Sequence, residues 1–503
     1  MRGTTFDPRA VDAFRISDWD FDPRRRVLRL RYAFEGGSGP ARFVETVTFE
    51  AEPHDPDRSG LDAWNRAVTH LHIAAGTSYY KAAAPERVIV EGVALTAAEA
   101  AFHHQLYDEG LREFAVTNGL PVPRPVRIDA TPAVAGPGLS TAGPTPWNER
   151  SLLVPIGGGK DSLVVIEALR PRKPTLFVVN PRPVLDDLVS ATGLEAIRVR
   201  RELSPELGRL NRSGALNGHV PVTAIVSLLA VASSVLYGFD EVVMAVERSA
   251  SEETRMVGGV PVNHQFSKSL ELERRMQELV TGSIDPGIRY GSGLRPYAEL
   301  SIGRAFAGLT AYHPLFCSCN AAYRSTADPA QRWCGACPKC RFVALMLAPF
   351  MARDAVADII GRDLFDDVGE VDGFRALMSD GDKPFECVGE RKESAAAVRM
   401  LARQPGWQDS AVVRSLRSDA EALVSDDDVA DLLRADHTLD HADPAVALAI
   451  DQLLAPGEGA APGCAVEGEG GVEGEGGIEG EGGIEGEGGP LVPSGAPAGP
   501  DGP

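Results

Sequence analysis

Val154-Pro155-Ile156-Gly157-Gly158-Gly159-Lys160-Asp161-Ser162 is the stretch on which the reading of this chain turns. An apolar run (Leu152, Leu153, Val154) precedes it and an apolar-periodic run (Leu163, Val164, Ile166, Leu169) follows, a pattern that predicts strand, glycine turn and helix. Consecutive glycines let backbone N–H groups crowd into one concavity. The helix start adds partial positive charge there, so the turn is a ready anion site. Lys160 adds a full charge, Asp161 a carboxylate suited to magnesium and Ser162 a hydroxyl, which together point to phosphate. The stretch matches neither G-x-x-x-x-G-K-[ST] nor G-x-G-x-x-G, since Lys160 and Asp161 follow the glycines at once.

Strand and helix signals alternate beyond it. Thr175–Val179 is an apolar run ending at Asn180-Pro181, and 195–199 is another. Residues 221–236 read as a buried helix, and 241–246 as a strand ending at Glu247-Arg248-Ser249. Helical crossovers of this length imply a parallel sheet with ligands at the carboxyl ends of its strands. The glycine turn, Asn180, Glu247 and Arg248 all fall at such ends.

A second signal is Cys319, then Cys334-Gly335-Ala336-Cys337-Pro338-Lys339-Cys340. Four thiolates in this spacing suit a closed, structural tetrahedral Zn²⁺ site, although an iron–sulfur cluster uses similar spacing. Cys317 is left over, as a core thiol or one facing a substrate.

Toward the amino terminus, Leu28, Leu30, Tyr32 and Phe34 alternate with Arg29, Arg31 and Ala33, and Phe43, Glu45, Val47 and Phe49 with Val44, Thr46 and Thr48, around a glycine-rich turn. This predicts a hairpin. Helical patterns follow at 61–75 and 96–116, separated by the polar-aromatic cluster Gly76-Thr77-Ser78-Tyr79-Tyr80-Lys81. Residues 119–146 are rich in Pro, Gly, Ala and Thr. Toward the carboxyl terminus, helical patterns cover 341–360 and 395–453, the latter broken near Pro405-Gly406. Between them, Lys383-Pro384-Phe385-Glu386-Cys387-Val388-Gly389-Glu390 places a thiol beside two carboxylates and a lysine. The chain ends in four Val/Ile-Glu-Gly-Glu-Gly-Gly hexads, too rich in glycine and like charge to bury a core.

The expected class is therefore α/β. An N-terminal α+β domain spans 1–120, a linker 121–150 and a parallel-sheet nucleotide-binding domain 151–350, with a cysteine insert at 317–340. A helical region spans 351–455 and a disordered tail 456–503. The net charge of −21 is inflated by that tail, which carries ten acids and no base; the remainder, at −11, argues against a nucleic-acid surface. No apolar run is long enough to span a membrane and the start lacks a secretory core. Five of the seven cysteines cluster, as suits a reducing compartment, so the expected location is cytoplasmic.

Gly157–Ser162 resembles the pyrophosphate (PP) loop, S-G-G-x-D-S, of the N-type ATP pyrophosphatases, with Gly157 replacing the first serine. That resemblance implies a HUP-like domain that binds ATP and transfers AMP to a substrate oxygen, commonly of a carboxylate. The loop (Gly157, Gly158, Gly159, Lys160, Ser162) would hold pyrophosphate and Asp161 Mg²⁺. The cysteines resemble the zinc site of 7-cyano-7-deazaguanine synthases. Along residues 10–450 the chain resembles the MurL-type UDP-N-acetylmuramoyl-L-alanyl-L-glutamate epimerases. The resemblance rests on those motifs and on the Gly76–Lys81 cluster, Gly218-His219-Val220-Pro221, Val246–Ser249, Asn263-His264-Gln265-Phe266-Ser267-Lys268-Ser269 and Lys383–Gly389. It implies a UDP-muramoyl dipeptide substrate, release of AMP and pyrophosphate, and inversion of the terminal glutamate from L to D.

The chemistry is coherent. A proton α to a carboxylate resists removal because a second negative charge would form beside the first. An acyl-adenylate removes that charge and brings the proton within reach of a side-chain base. The preceding amide could also close an oxazolone with a still more acidic ring proton. Cys317, Cys387, Lys383, His219 and His264 are the candidate proton-transfer groups. The same motifs also fit an adenylating amide- or nitrile-forming enzyme, or a nucleotide-sensing zinc protein without turnover.

Overall fold

The computed structural model describes residues 6–37, 41–52, 58–133, 145–322, 332–379, 384, 386, 388–439 and 442–455. The expected disordered tail, Lys383 and Cys387 lie outside the described residues.

One ten-stranded sheet organises the chain. Its strands are β1 (Val11–Asp22), β2 (Val27–Gly36), β3 (Arg42–Phe49), β4 (Arg87–Leu95), β5 (Arg127–Pro132), β6 (Leu152–Pro155), β7 (Thr175–Val179), β8 (Ala196–Glu202), β9 (Glu241–Met244) and, after a small hairpin of β10 (Arg255–Val257) and β11 (Val260–Val262), β12 (Arg289–Ser292). The order is β12-β9-β6-β7-β8-β3-β2-β1-β4-β5. Pairing is parallel from β12 to β8 and again through β1, β4 and β5. It is antiparallel from β8 through β3 and β2 to β1. The sheet is thus mixed and largely parallel, and the amino-terminal strands continue the central ones without an edge between them.

Burial follows from position in the sheet. Leu152, Leu153 and Val154 of β6 and Leu176, Phe177 and Val178 of β7 are all buried, as in strands covered on both faces. The predicted hairpin is β2 and β3, with Tyr32 opposite Phe43 and Leu30 opposite Glu45. Leu28, Leu30, Tyr32 and Phe34 all face the core. Helix Val222–Tyr237 is apolar nearly all round, packs along helix Arg58–Ala75 and stops at Gly238, which adopts φ +74°.

The predicted helix over 341–360 is two helices, Pro338–Leu347 and Arg353–Ile360. Pro349 in the intervening turn has no N–H to continue the ladder. The pattern over 395–453 resolves into helices Arg391–Leu401, Ala411–Leu423, Asp426–Leu432 and Pro444–Leu454, the first break lying at Gly406 as expected. These elements form a helical carboxyl-terminal region. Among the described residues, no helix is long and apolar enough to cross a membrane.

Candidate functional site

The chain leaves β6 for β7 on one side and later places β9 on the other. The carboxyl end of β6 is therefore a point where the strand order reverses, where open α/β sheets leave a crevice. The glycine turn occupies it. Gly158 adopts φ +90°, in the region that favours glycine. Gly159 stands at the N-cap of helix Lys160–Leu169, and a Cβ there would lie 2.7 Å from Ser318 Oγ. Ser162 donates back to the Gly159 carbonyl at 3.1 Å.

The turn opens on a cavity of about 520 Å³, lined by Gly157, Gly159, Asp161, Ser162, Asn180 and Cys317 among the predicted residues. Arg182, Arg201, Lys268 and Lys339 also line it, giving the cavity a basic wall. Asn180, at the end of β7 with φ +54°, accepts the Arg201 N–H at 2.7 Å. Arg201 in turn forks onto Glu45 (2.7 and 2.9 Å), whose carboxylate is fully buried, and reaches Ser78 at 2.9 Å.

Lys160 does not project toward the cavity as a free charge. Its side chain is 2 % exposed and ion-pairs with Asp161 and Glu299. Burial opposes its charge, but the Asp161 and Glu299 carboxylates outweigh burial and raise its pKa above the ordinary lysine value. Burial likewise acts on Asp161, yet Lys160, Lys339 and Lys268 hold that carboxyl below its usual range. Glu299 moves the other way, raised by burial, with the Asp161 and Glu247 charges opposing its ionisation. Oxygens of Asp161, Glu247 and Glu299 lie within 4.8 Å of one another, a donor set that suits a hard divalent cation. Glu247 is 3 % exposed and its carbonyl accepts Arg295 at 2.8 Å. The Arg248 N–H donates to the Tyr297 carbonyl at 3.0 Å, and Arg248 does not line the cavity.

Glu393, on helix Arg391–Leu401, ties this network to the carboxyl-terminal region. Its buried carboxylate accepts the Ser249 hydroxyl at 2.8 Å and the Glu299 and Glu390 N–H groups at 2.7 Å each. Burial, with the Glu390 and Glu299 charges, pushes it up to about 8.

The four predicted metal cysteines converge. Sulfur separations are 4.0 Å for Cys319–Cys337, 3.8 Å for Cys334–Cys340 and 3.5 Å for Cys337–Cys340. A tetrahedral Zn²⁺ with bonds of about 2.3 Å places its sulfurs about 3.8 Å apart, so the cluster fits a metal such as zinc. Cys317 stands outside it and donates its thiol to the Arg332 carbonyl at 2.7 Å. The Cys317 N–H donates to the Gly158 carbonyl at 2.9 Å, joining the cysteine segment to the glycine turn. Glu386 accepts from Asn320 at 3.0 Å and from the Lys339 N–H at 3.3 Å.

Two predicted histidines also meet. His219 and His264 have ring centroids 4.5 Å apart, and both address Glu113. The Gly76–Lys81 cluster turns out to be a tie: Lys81 donates to Asn217 Oδ1 (2.7 Å) and to the Gly218 carbonyl (3.0 Å), while Tyr79 accepts the Ser204 N–H. Sequence reasoning missed Glu113, Glu299, Arg201 and Glu393, isolated residues without a motif. Lys268 and Lys339 lay inside quoted stretches, where a basic residue flanking a motif was the available signal.

The MurL N-terminal domain model matches residues 5–292 and the MurL C-terminal domain model residues 315–431. Three curated relatives carry the name UDP-N-acetyl-alpha-D-muramoyl-L-alanyl-L-glutamate epimerase. The one from Salinispora tropica is 42% identical, with 81% of this chain and 89% of the relative covered. That from Micromonospora sp. is 41% identical over 81% and 91%, and that from Xanthomonas oryzae pv. oryzae 38% over 85% and 94%. No solved structure matches the chain.

Proposed function

The chain belongs to the MurL family, and on that premise we propose that it is an epimerase of peptidoglycan synthesis, inverting the terminal L-glutamate of UDP-MurNAc-L-Ala-L-Glu to D-glutamate. The names of the relatives support the substrate and the outcome. The observation that carries the mechanism is the glycine turn at the strand-order reversal, with Asp161 on the wall of the cavity it opens.

We take the turn as a PP-loop of HUP-like character within a nucleotide-binding domain at 151–350, flanked by the divisions drawn from the sequence. ATP is a co-substrate in this reading. Backbone N–H groups of Gly157, Gly158 and Gly159, the helix start and Ser162 bind its phosphates. Asn180, Glu247 and Arg248 are assigned to the nucleotide, the last two through the loop after β9. An α-carboxylate oxygen of the substrate attacks the α-phosphorus, the bond to the β-phosphate oxygen breaks and pyrophosphate leaves. Lys268 and Lys339 offset the charge brought together there. Asp161, Glu247 and Glu299 would hold Mg²⁺, which when bound supplies charge neutralisation at the phosphates. Lys160 keeps two of these carboxylates in register. The four cysteines would hold a structural Zn²⁺ that fixes the Cys317–Ser318 segment over the turn.

With its carboxylate esterified, the glutamate loses its α-proton more readily, directly or through the oxazolone. Cys317, which lines the cavity, and Cys387 are the residues whose thiols we assign to the neighbourhood of the reacting carbon. Hydrolysis of the reprotonated acyl-adenylate frees AMP. Incubation of the protein with ATP, Mg²⁺ and UDP-MurNAc-L-Ala-L-Glu should yield D-glutamate on chiral analysis, with AMP and pyrophosphate in equal amounts. Inversion without nucleotide, or formation of ADP, would refute this account.

A further inference from the structure

Glu113, His219 and His264 come from three separate segments: the short helix Arg112–Thr117, the loop before helix Val222–Tyr237, and the turn that leads into Lys268. One carboxylate oxygen, Glu113 Oε2, contacts His264 Nδ1 directly and lies 3.7 Å from His219 Nδ1. The parts are held from outside. Asn118 Nδ2 donates to the Asn217 carbonyl at 2.9 Å, Lys81 grips the Asn217 side chain and the Gly218 carbonyl, and the His264 N–H donates to Thr254 Oγ1 at 3.1 Å. An oriented carboxylate–imidazole pair is the arrangement of a general base with its orienting acid.

Glu113, His219 and His264 do not themselves line the cavity, but the segments that carry the two histidines run into its wall. Val222 and Thr223, just after His219, line it, and so does Lys268, four residues after His264. The Lys268 charge acts on both His219 and Asp161. Nothing in the adenylating machinery uses the two imidazoles. Burial, the neighbouring His264 ring and the Lys81 and Lys268 charges push His219 down to about 4, against the pull of Glu113.

We infer that the Glu113–His264 pair, with the His219 ring tilted beside it at 46°, is the proton-transfer site of the epimerisation. This rests on the proposed reaction and goes beyond it by assigning the base. Glu113, accepting from Nδ1–H, fixes the His264 tautomer with the lone pair on Nε2. Nε2 takes the α-proton, and the C–H electron pair moves into the enolate of the activated carbonyl. The resulting imidazolium is stabilised by the Glu113 carboxylate. A solvent-derived proton returns to the opposite face, the imidazolium releases its own to solvent, and each inversion puts one solvent hydrogen on the carbon.

The test separates the two half-reactions in the full chain with ATP, Mg²⁺ and UDP-MurNAc-L-Ala-L-Glu. Exchange of labelled pyrophosphate into ATP reads adenylation, and deuterium entry at the glutamate α-carbon in D₂O reads proton transfer. His264→Ala should keep pyrophosphate exchange within about threefold while deuterium entry falls about 100-fold or more, the size of a general-base contribution. Added imidazole should restore part of it. Glu113→Gln, which preserves size if the alanine variant folds poorly, should show the same split to a smaller degree. Undiminished deuterium entry in both variants would overturn the assignment. So would parallel loss of both half-reactions in a natively folded variant, or a second equivalent of divalent metal per chain that disappears with His264. A wild type that epimerises without pyrophosphate exchange would instead refute adenylation and leave this site standing.

Discussion

A lysine whose ammonium is enclosed by Asp161 and Glu299 is stable only as a member of a charged set. Removing one member strands the others, and the cost of an uncompensated buried charge is about 3–5 kcal/mol. Lys160→Met should therefore lower unfolding stability by that amount in urea titrations, and adding Glu299→Leu should recover part of it; a neutral single variant would show that the set contributes nothing. A second residue ties stability to pH. His72, 3 % exposed, packs 4.8 Å from the Tyr32 ring, and its Nε2 lies 3.1 Å from the Arg31 carbonyl. Burial, against the pull of that carbonyl, pushes it down to about 4. It is thus neutral in the fold, while the unfolded chain takes up a proton below the ordinary value of about 6.5. Its contribution is complete above that pH and is lost as pH falls toward 4, by up to about 3 kcal/mol. His72→Gln should flatten the acid limb of the stability profile by that share; an unchanged limb would show that His72 protonates freely in the fold.

At the scale of elements, the glycine turn works because another segment lies against it. Gly159 faces Ser318 Oγ at 2.7 Å from where a Cβ would stand, and Cys317 bonds to Gly158. Gly159→Ala should displace the turn and cut AMP formation about 100-fold, as sub-ångström to ångström misplacement does. Its melting temperature should change little, and Ser318→Ala should restore part of the rate; an active single variant would mean the turn tolerates the shift. The cysteine clip predicts a linked effect. Cys334→Ser should drop metal content by one ion per chain and abolish AMP formation, because Cys317, Ser318 and Lys339 flank the clip. Full activity without the metal would detach the clip from the site.

Across the whole molecule, the legible parts were those written in consecutive residues. The glycine turn, β7, the β2–β3 hairpin and the four-cysteine cluster each announce themselves within one short stretch of chain. β1 did not, because its register against β2 shifts between Val11 and Ala13 and between Ile16 and Trp19, which breaks the apolar alternation. β4 hides similarly behind Gly92 at φ +69°. That the amino-terminal strands join the central sheet depends on β3 pairing with β8, across more than a hundred residues, with Glu45 meeting Arg201. His219 and His264 were readable one at a time but not as a pair, and Glu113, which joins them, lies in no motif. The central claim, that this assembled sheet directs a carboxylate onto the α-phosphorus of ATP, has a direct test. With the substrate's glutamate α-carboxylate labelled with ¹⁸O, the AMP released should carry one ¹⁸O in its phosphate for each D-glutamate formed. Unlabelled AMP, or D-glutamate formed without AMP, would contradict it.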